Sequence, residues 1–375
     1  MQNYLPFLSL IMKTFRFAVI SDPHIALPQT IDNTVSRFHM VEVSIAALEK
    51  ALTQLEPLNL DFLLIPGDLT QDGEIENHQW LHQRLQKLPF PCYVIPGNHD
   101  VPLPTSNHEV VGLAEFPRYY TGCGYQDSQE AYYTQELLPG VQLIALNSNA
   151  FSQDHQQIGY LEEKQYWWLE EQLKIYSEQL IFVMIHHNVI EHLPGQSHHE
   201  LGRRYMLDNA TQLLTLLKKY QVKLIFTGHL HVQDIAYHDG IYEITTGSLV
   251  SYPHPYRIIT ADYTQNQWHL TIESHRIESV EGYPQLAQQS RQFLGDRSQF
   301  FMTRLLTLPP LNLSPENAAK LVPTLQYFWA DVAAGDSKFD FPNFPSPVRY
   351  FLQKFSHFNH PQHLHFQDNN TVLKL

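Results

Sequence analysis

The stretch VIPGNHDV, residues 94–101, is an apolar strand that runs into a Pro-Gly turn and then into three polar residues. Earlier in the chain, LLIPGDLT, residues 63–70, repeats the arrangement with a carboxylate, Asp68, directly after the turn. Strands this apolar are typical of a sheet that is covered on both faces. The ligands of such sheets gather where the strands end. The two stretches therefore predict a buried sheet with a polar site at its edge.

Strands and helices alternate along most of the chain. Strands are predicted at 15–22, 60–68, 91–98, 141–148, 179–187 and 222–231, and helices at 35–55, 76–88, 162–175 and 209–220. This alternation predicts an α/β fold. Trp167 and Trp168 fall on the helical pattern of 162–175, so both are expected to lie in the core.

The composition limits the function and the partners. The 375 residues include 24 Lys and Arg against 38 Asp and Glu, which gives a net charge of −14. Because basic residues are not clustered, nucleic acid is not an expected partner. No apolar stretch approaches the ~18 residues of a membrane span, so no membrane association is expected. The two cysteines, Cys92 and Cys123, make no disulfide framework, which predicts free thiols and a cytoplasmic location.

Five predicted strand ends carry Asp, Asn or His and no thiolate. In chain order they supply Asp22 and His24; Asp68; Asn98, His99 and Asp100; His186 and His187; and His229 and His231. Each residue alone has an ordinary structural explanation, such as a helix cap or a turn. Asp-x-His and His-x-His, however, place both side chains on one side of a strand end. Nitrogen and oxygen donors suit Mn, Fe or Zn, and the set is large enough for two ions that share a carboxylate.

The five motifs, taken in this order, resemble those of a known family. SDPHI, PGDLT, PGNHD, MIHHN and TGHLH are similar to the metal-binding motifs of the calcineurin-like metallophosphoesterase superfamily. The runs GDLTQDGE and GHLHVQDIAYHDGIYEITTGSLVSYP, with a helical C-terminal extension, resemble the bacterial class III cyclic-nucleotide phosphodiesterases. The resemblance covers residues 14–275. It implies an α/β fold, namely a four-layer α/β/β/α metallophosphoesterase sandwich with a mostly helical C-terminal extension.

A change in composition near residue 276 predicts two domains. We expect the catalytic domain over 14–275 and a mostly helical C-terminal domain over 276–375. Residues 1–13 are expected to be a disordered extension, because Met12 offers a second start of translation. A homodimer that forms through the C-terminal domain is a further expectation.

The resemblance implies two metal ions, Mn²⁺, Fe²⁺ or Fe³⁺, or Zn²⁺, and a role for each residue of the set. The first metal is expected on Asp22, His24 and His231, the second on Asn98, His186 and His229, with Asp68 as the bridge. The glycine of each Pro-Gly turn is expected to adopt the backbone angles that let the next residue face a metal.

His99 resembles the substrate-side histidine of the family, which stabilises the transition state or protonates the leaving oxygen. Asp100 is expected to hold the other ring nitrogen of His99. Of the pair His186-His187 the first is favoured as the ligand, and His187 then points toward the substrate or lies behind the ligands. Substrate contacts are expected from Asn98, His99 and His187.

The resemblance implies hydrolysis of a small phosphodiester by a hydroxide that bridges the two ions. Cyclic nucleotides, either 3′,5′- or 2′,3′-cAMP or cGMP, are the first expectation. Glycerophosphodiesters, nucleotide-lipid pyrophosphates and phosphomonoesters are the alternatives. A non-catalytic scaffold is the other class of function, and the complete ligand set together with His99 and Asp100 argues against it.

Overall fold

Strands and helices alternate along the first part of the chain, four consecutive strands follow up to residue 276, and a helical region comes before the last strand. The computed structural model describes residues 14–35, 37–126, 129–357 and 367–375, so the extension predicted over 1–13 lies outside the described residues. The strands are β1 (Thr14–Val19), β2 (Phe62–Ile65), β3 (Cys92–Val94), β4 (Tyr133–Leu138), β5 (Val141–Ala145), β6 (Asn149–Phe151), β7 (Gln157–Gly159), β8 (Leu180–Met184), β9 (Leu224–Thr227), β10 (Asp234–His238), β11 (Ile241–Thr245), β12 (Pro255–Thr264), β13 (Gln267–Arg276) and β14 (Asn370–Lys374).

The helices up to residue 219 lie between strands in the chain, whereas the helices from residue 286 onward follow one another directly. They are α1 (Ser44–Leu55), α2 (Ile75–Leu85), α3 (Phe116–Tyr119), α4 (Glu163–Ile175), α5 (Glu200–Arg203), α6 (Ala210–Lys219), α7 (Leu286–Thr307), α8 (Pro315–Leu321), α9 (Phe328–Ala333) and α10 (Ser346–Gln353). Among the described residues, none of the helices combines the length and the apolar character that crossing a membrane requires.

The strands form two six-stranded sheets and a small ribbon within the described part of the chain. The first sheet has the order β14-β13-β12-β1-β2-β3 and the second the order β10-β11-β9-β8-β5-β4, while β6 pairs with β7. β1, β2 and β3 are parallel, as are β5, β8, β9 and β11. Parallel strands end at the same edge of a sheet, so the residues that follow them can meet there.

The two sheets pack face to face, with helices outside them. Phe182 of β8 belongs to the core between the sheets, together with Phe17 and Phe62 of the first sheet. Its neighbour Val183 belongs to a second core with Leu169 of α4 and with side chains of α6. The first core continues through the first sheet to its other face, where buried side chains of α1 and α2 belong to it. The layers are therefore helix, sheet, sheet and helix, which confirms the predicted fold class.

One core prediction is wrong. Trp167 is 66% exposed, and α4 instead buries Tyr166, Leu169 and Leu173. Trp168 is only partly buried at the margin of the second core. Adjacent residues of a helix point in different directions, so α4 cannot turn both tryptophans inward.

The helical C-terminal region is packed on the main body. Its own core includes Phe328 and Leu352, and Leu230 joins that core from the segment between His229 and His231. After α10 the chain returns to the first sheet, where β14 pairs with β13. The predicted boundary near residue 276 coincides with the end of β13, and the division into two domains stays a prediction.

Leu373→Ala tests whether the end of the chain stabilises the main body. Leu373 of β14 is 1% exposed and belongs to the core between the sheets. Its replacement should lower the free energy of unfolding by about 2–5 kcal/mol in chemical denaturation. Val372→Ala is the control on the same strand, because Val372 is 53% exposed. Equal effects of the two substitutions would contradict a contribution of β14 to this core.

Candidate active site

Side chains from both sheets meet at one end of the sandwich. Asp22 and His24 follow β1, Asp68 follows β2, Asn98 follows β3, His186 and His187 follow β8, and His229 and His231 follow β9. The backbone N–H of Asp22 donates to the carbonyl of Gly67 at 3.3 Å, and that of His24 donates to the carbonyl of Asp68 at 3.0 Å. These bonds hold the ends of β1 and β2 together.

The first donor group consists of Asp22, His24, Asp68 and His231. One nitrogen or oxygen of each residue lies within 4.8 Å of those of the others. The Nε2 atoms of His24 and His231 are 3.2 Å apart, and Nε2 of His24 is 3.6 Å from Oδ2 of Asp68. Nε2 of His231 is 3.4 Å from Oδ1 of Asp22. These are the residues predicted for the first metal, together with the predicted bridge.

The second donor group consists of Asp68, His186 and His229. Oδ1 of Asp68 is 3.3 Å from Nε2 of His186, and that nitrogen is 3.2 Å from Oδ1 of Asn98. Nδ1 of His186 lies 2.8 Å from the carbonyl of Pro66 and donates to it, which directs Nε2 to the site. Asp68 is the residue that the two groups share.

The chemistry of the donor groups fits metal ions. Burial holds the pKa of His24 well below its usual value, with a further lowering by His39, so the ring is neutral and offers a lone pair. The Nε2 atoms of His24 and His231 face each other at 3.2 Å, and in the tautomers that carry the proton on Nδ1 both present lone pairs to the same space. A cation between them would accept both. The donors are nitrogen and oxygen without thiolate, which Mn, Fe and Zn accept.

The electrostatics of the site centre on Asp68. Burial would raise the pKa of Asp68, but the charges of His186 and His99 hold it well below its usual range. Burial would likewise lower the pKa of His186, but Asp68 beside it raises that pKa to about 9. Burial and the charge of His187 keep the pKa of His229 well below its usual value. Asp68 is therefore a buried carboxylate that needs positive charge next to it.

Five of the predicted ligands have left-handed backbone conformations. The φ angle is 48° at Asp22, 40° at His24, 49° at Asp68, 66° at His229 and 58° at His231. Residues other than glycine rarely adopt this region, which costs about 1–2 kcal/mol per residue. Such strain is typical of functional sites, where the surrounding structure enforces it.

The two Pro-Gly turns need their glycines for different reasons. Gly67 has a φ of 97°, as expected for a turn that directs the next residue to the site. At Gly97 the reason is space, because a Cβ atom there would lie 2.2 Å from both the backbone N and Oδ1 of Asp68. The expectation of special backbone angles therefore applies to Gly67, whereas Gly97 permits close approach.

Asp100 does not hold His99, so that prediction is wrong. Nδ1 of His99 lies 2.6 Å from the carbonyl of Gln71 and donates to it instead. The carboxylate of Asp100 is fully buried and accepts hydrogen bonds at 2.8–3.0 Å from the backbone N–H groups of Gly97, Leu69 and Thr70. These three donors occupy the carboxylate, which joins the segments after β2 and β3.

His187 lies behind the ligands. Its side chain is buried, Nδ1 is 2.8 Å from Oγ of Ser148, and its ring centre is 4.5 Å from that of His229. His186 belongs to a donor group among the described residues, whereas His187 does not. This placement supports His186 as the ligand, and it favours the position behind the ligands for His187.

The sequence analysis missed three residues that border the site. The ring centre of His39 is 4.4 Å from that of His24, and Nε2 of His39 is 2.8 Å from Oε1 of Gln71. The ring centre of Tyr205 is 5.0 Å from that of His229. Gln71 lies in the run GDLTQDGE, which gave no sign of its contact with His39, and His39 and Tyr205 belong to none of the recognised motifs. His39 was predicted as part of a helix, but α1 begins only after it.

Known proteins with similar sequences are phosphoesterases. The profile of a family described as calcineurin-like phosphoesterase matches residues 15–233. A 3′,5′-cyclic-nucleotide phosphodiesterase of Nostoc sp. is 28% identical over 189 residues, which are 50% of this chain and 62% of that protein. A "Probable glycerophosphodiester phosphodiesterase GpdQ" of Arcobacter nitrofigilis is 30% identical over 176 residues, which are 46% of this chain and 56% of that protein. These two matches span less than two thirds of the relatives.

One further relative is matched over more of its own length, and one solved structure has a similar fold. A "Probable cyclic nucleotide phosphodiesterase" of Xenorhabdus bovienii is 24% identical over 209 residues, which are 56% of this chain and 74% of that protein. The crystal structure of a dimetal phosphatase from Danio rerio has a TM-score of 0.53 at 15% identity, and the match covers 70% of this chain and 96% of that one. At this identity the structural likeness concerns the fold.

Asp100→Asn tests the role that the contacts of Asp100 indicate. The new amide NH₂ would face a backbone N–H, so the free energy of unfolding should fall by about 1–3 kcal/mol. His99→Asn is the comparison, because the His99 side chain is partly exposed and should lose little stability. Chemical denaturation of both variants measures the difference. A stable Asp100→Asn variant would contradict the view that Asp100 joins the segments after β2 and β3.

Proposed function

Because the chain belongs to the calcineurin-like phosphoesterase family, we propose that it is a metal-dependent phosphodiesterase that acts on a small phosphodiester. The observation that carries the proposal is the pair of donor groups that share Asp68. The names of the relatives support a phosphodiester as the substrate class.

Two metal ions are the proposed cofactors. The first would be held by Asp22, His24 and His231, the second by Asn98, His186 and His229, and both by Asp68. When bound, the ions would supply Lewis acidity at phosphorus and a nucleophilic water at neutral pH. Mn²⁺, Fe²⁺ or Fe³⁺, and Zn²⁺ all suit these donors.

His99 is the proposed catalytic histidine. The hydrogen bond from its Nδ1 to Gln71 fixes the ring and leaves Nε2 for the substrate. Burial disfavours the protonated ring, but the carboxylates of Asp68 and Asp72 raise the pKa of His99 to about 9. Nε2 would therefore carry a proton at neutral pH and could donate it to the leaving oxygen of the substrate.

A cyclic nucleotide is the first candidate among small phosphodiesters. The names of the Nostoc and Xenorhabdus relatives support it. A glycerophosphodiester is the second candidate, which the name of the Arcobacter relative supports. Nucleotide-lipid pyrophosphates and phosphomonoesters stay as alternatives from the sequence.

Four further expectations stay predictions. They are the cytoplasmic location, the homodimer, the absence of nucleic acid among the partners and the disfavoured scaffold role. The two complete donor groups are the feature that disfavours a scaffold, because a scaffold has no use for them.

Asp68→Ala and His99→Asn separate metal binding from proton transfer. Asp68→Ala removes the carboxylate common to both donor groups, so bound metal and nearly all activity should be lost. His99→Asn should keep the metals and lower kcat by about 10²- to 10⁴-fold. The measurements are metal analysis and hydrolysis of 3′,5′-cAMP, 2′,3′-cAMP, a glycerophosphodiester and bis-p-nitrophenyl phosphate with Mn²⁺.

The matched control is His108→Asn, because the His108 side chain is 86% exposed. It should leave both metal content and kcat unchanged. If the wild-type protein binds two ions but hydrolyses none of the four diesters, the proposed substrate class is wrong. If it retains no metal at all, the proposed enzymatic function is wrong.

A further inference from the structure

Glu243 is a fully buried carboxylate that belongs to neither donor group. It lies in the middle of β11, whose sequence IYEIT contains no other charged residue. A buried charge destabilises a protein unless its partners compensate it. The contacts of Glu243 therefore indicate what the side chain does.

The carboxylate of Glu243 accepts hydrogen bonds from two different segments. Oε1 accepts from Oγ1 of Thr227 at 2.9 Å and from Nδ2 of Asn188 at 3.3 Å. Oε2 accepts from the backbone N–H groups of Val189 and Ile190 at 3.0 and 2.5 Å. Both oxygens are thus occupied by donors of neutral groups, which fixes the carboxylate in one orientation.

The two segments are those that carry the proposed histidine ligands of the second metal. Asn188 is the second residue after His186, and Thr227 is the second residue before His229. The amide of Asn188 also contacts Oγ1 of Thr227 at 3.2 Å, so the segments touch each other where Glu243 bonds to them. Glu243 therefore contacts both segments at the same place and can set the distance between them.

His192 places a positive charge beside Glu243. The buried ring of His192 places Nε2 3.0 Å from Oε1 of Glu243 and Nδ1 2.6 Å from Oδ2 of Asp234. Burial would lower the pKa of His192, but the two carboxylates raise it to about 9. At neutral pH the ring is an imidazolium between two carboxylates, and Glu243 has the counter-charge that a buried carboxylate needs.

Building on the proposed function, we propose that Glu243 is a positioning residue for the second metal site. It touches neither the metal nor the substrate. It ties together the segments that carry His186 and His229 and thereby holds their rings at the spacing that one ion requires. Asp22 and His24 of the first site come from the other sheet, whereas His231 follows β9. The first site therefore depends on Glu243 less than the second, whose two histidines both lie on the segments that Glu243 contacts.

Glu243→Gln tests this role in the full chain. Whichever way the new amide is turned, its NH₂ group would face donors, either those of Val189 and Ile190 or those of Asn188 and Thr227, so the contact with one of the two segments would be weakened. Residues that orient metal ligands typically contribute 10- to 100-fold to affinity, so binding of the second Mn²⁺ should weaken by about 10- to 100-fold. Isothermal titration with Mn²⁺ measures both ions, and the affinity for the first should fall less than the affinity for the second. kcat should recover at saturating Mn²⁺.

Two further variants separate positioning from general destabilisation. His192→Gln removes the counter-charge of Glu243 and should also lower the affinity for the second Mn²⁺. This variant tests the proposal even if Glu243→Gln does not fold. Leu217→Ala is the control, because Leu217 is a buried residue of α6 in the core on the outer face of the second sheet. It should lower stability and leave the affinity for both ions unchanged.

The outcomes distinguish this inference from the proposed function. If the wild type binds two ions and both Glu243→Gln and His192→Gln bind them with wild-type affinity, the positioning role is wrong. An equal loss of affinity in Leu217→Ala would also overturn it. If the wild type binds two ions and hydrolyses no diester, the proposed substrate class fails and the positioning role is judged by the affinities alone. A wild type that binds fewer than two ions overturns both.

Discussion

The burial of Asp68 is the constraint on which the rest of the site depends. Its carboxylate is 1% exposed, and it lies 3.6 Å from His24 and 3.3 Å from His186, which belong to opposite sheets. A charge in such a place is stable only when cations and hydrogen-bond donors surround it. Oδ1 accepts the backbone N–H of His99, and Gly97 lets the chain pass beside it. The site is therefore arranged around keeping this one group ionised and fixed.

The fold class and the donor set could be predicted because both depend on local sequence patterns. A continuous apolar strand followed by a polar residue indicates a buried strand and its end, and Asp22 and Asp68 were found in this way. The alternate spacing of His229 and His231 predicted that both would face the site, and their donor atoms lie in the second and the first donor group, which share Asp68. The four-layer arrangement followed from the resemblance, which depends on the order of the motifs along the chain and on no single motif.

The partners of these residues could not be predicted, because they depend on contacts between distant segments. His99 is held by the carbonyl of Gln71, and a carbonyl has no signal in the sequence since every residue has one. Asp100 was expected to hold His99, whereas its carboxylate accepts from backbone N–H groups of its own turn and of the segment after β2. Glu243 did have a signal, namely a charge inside an apolar strand. Its meaning required the geometry, because its donors come from two other segments.

The spacing of the two donor groups depends on how the sheets pack, since Asp68 comes from the first sheet and His186 from the second. Phe17 of the first sheet contacts Phe182 and Phe226 of the second, with ring centres 5.4 and 5.8 Å apart. Protein interiors are close-packed and neither compress nor expand easily. Metal–ligand distances tolerate deviations of only about 0.2 Å. The aromatic layer between the sheets therefore sets the distance between the two strand ends that carry Asp68 and His186.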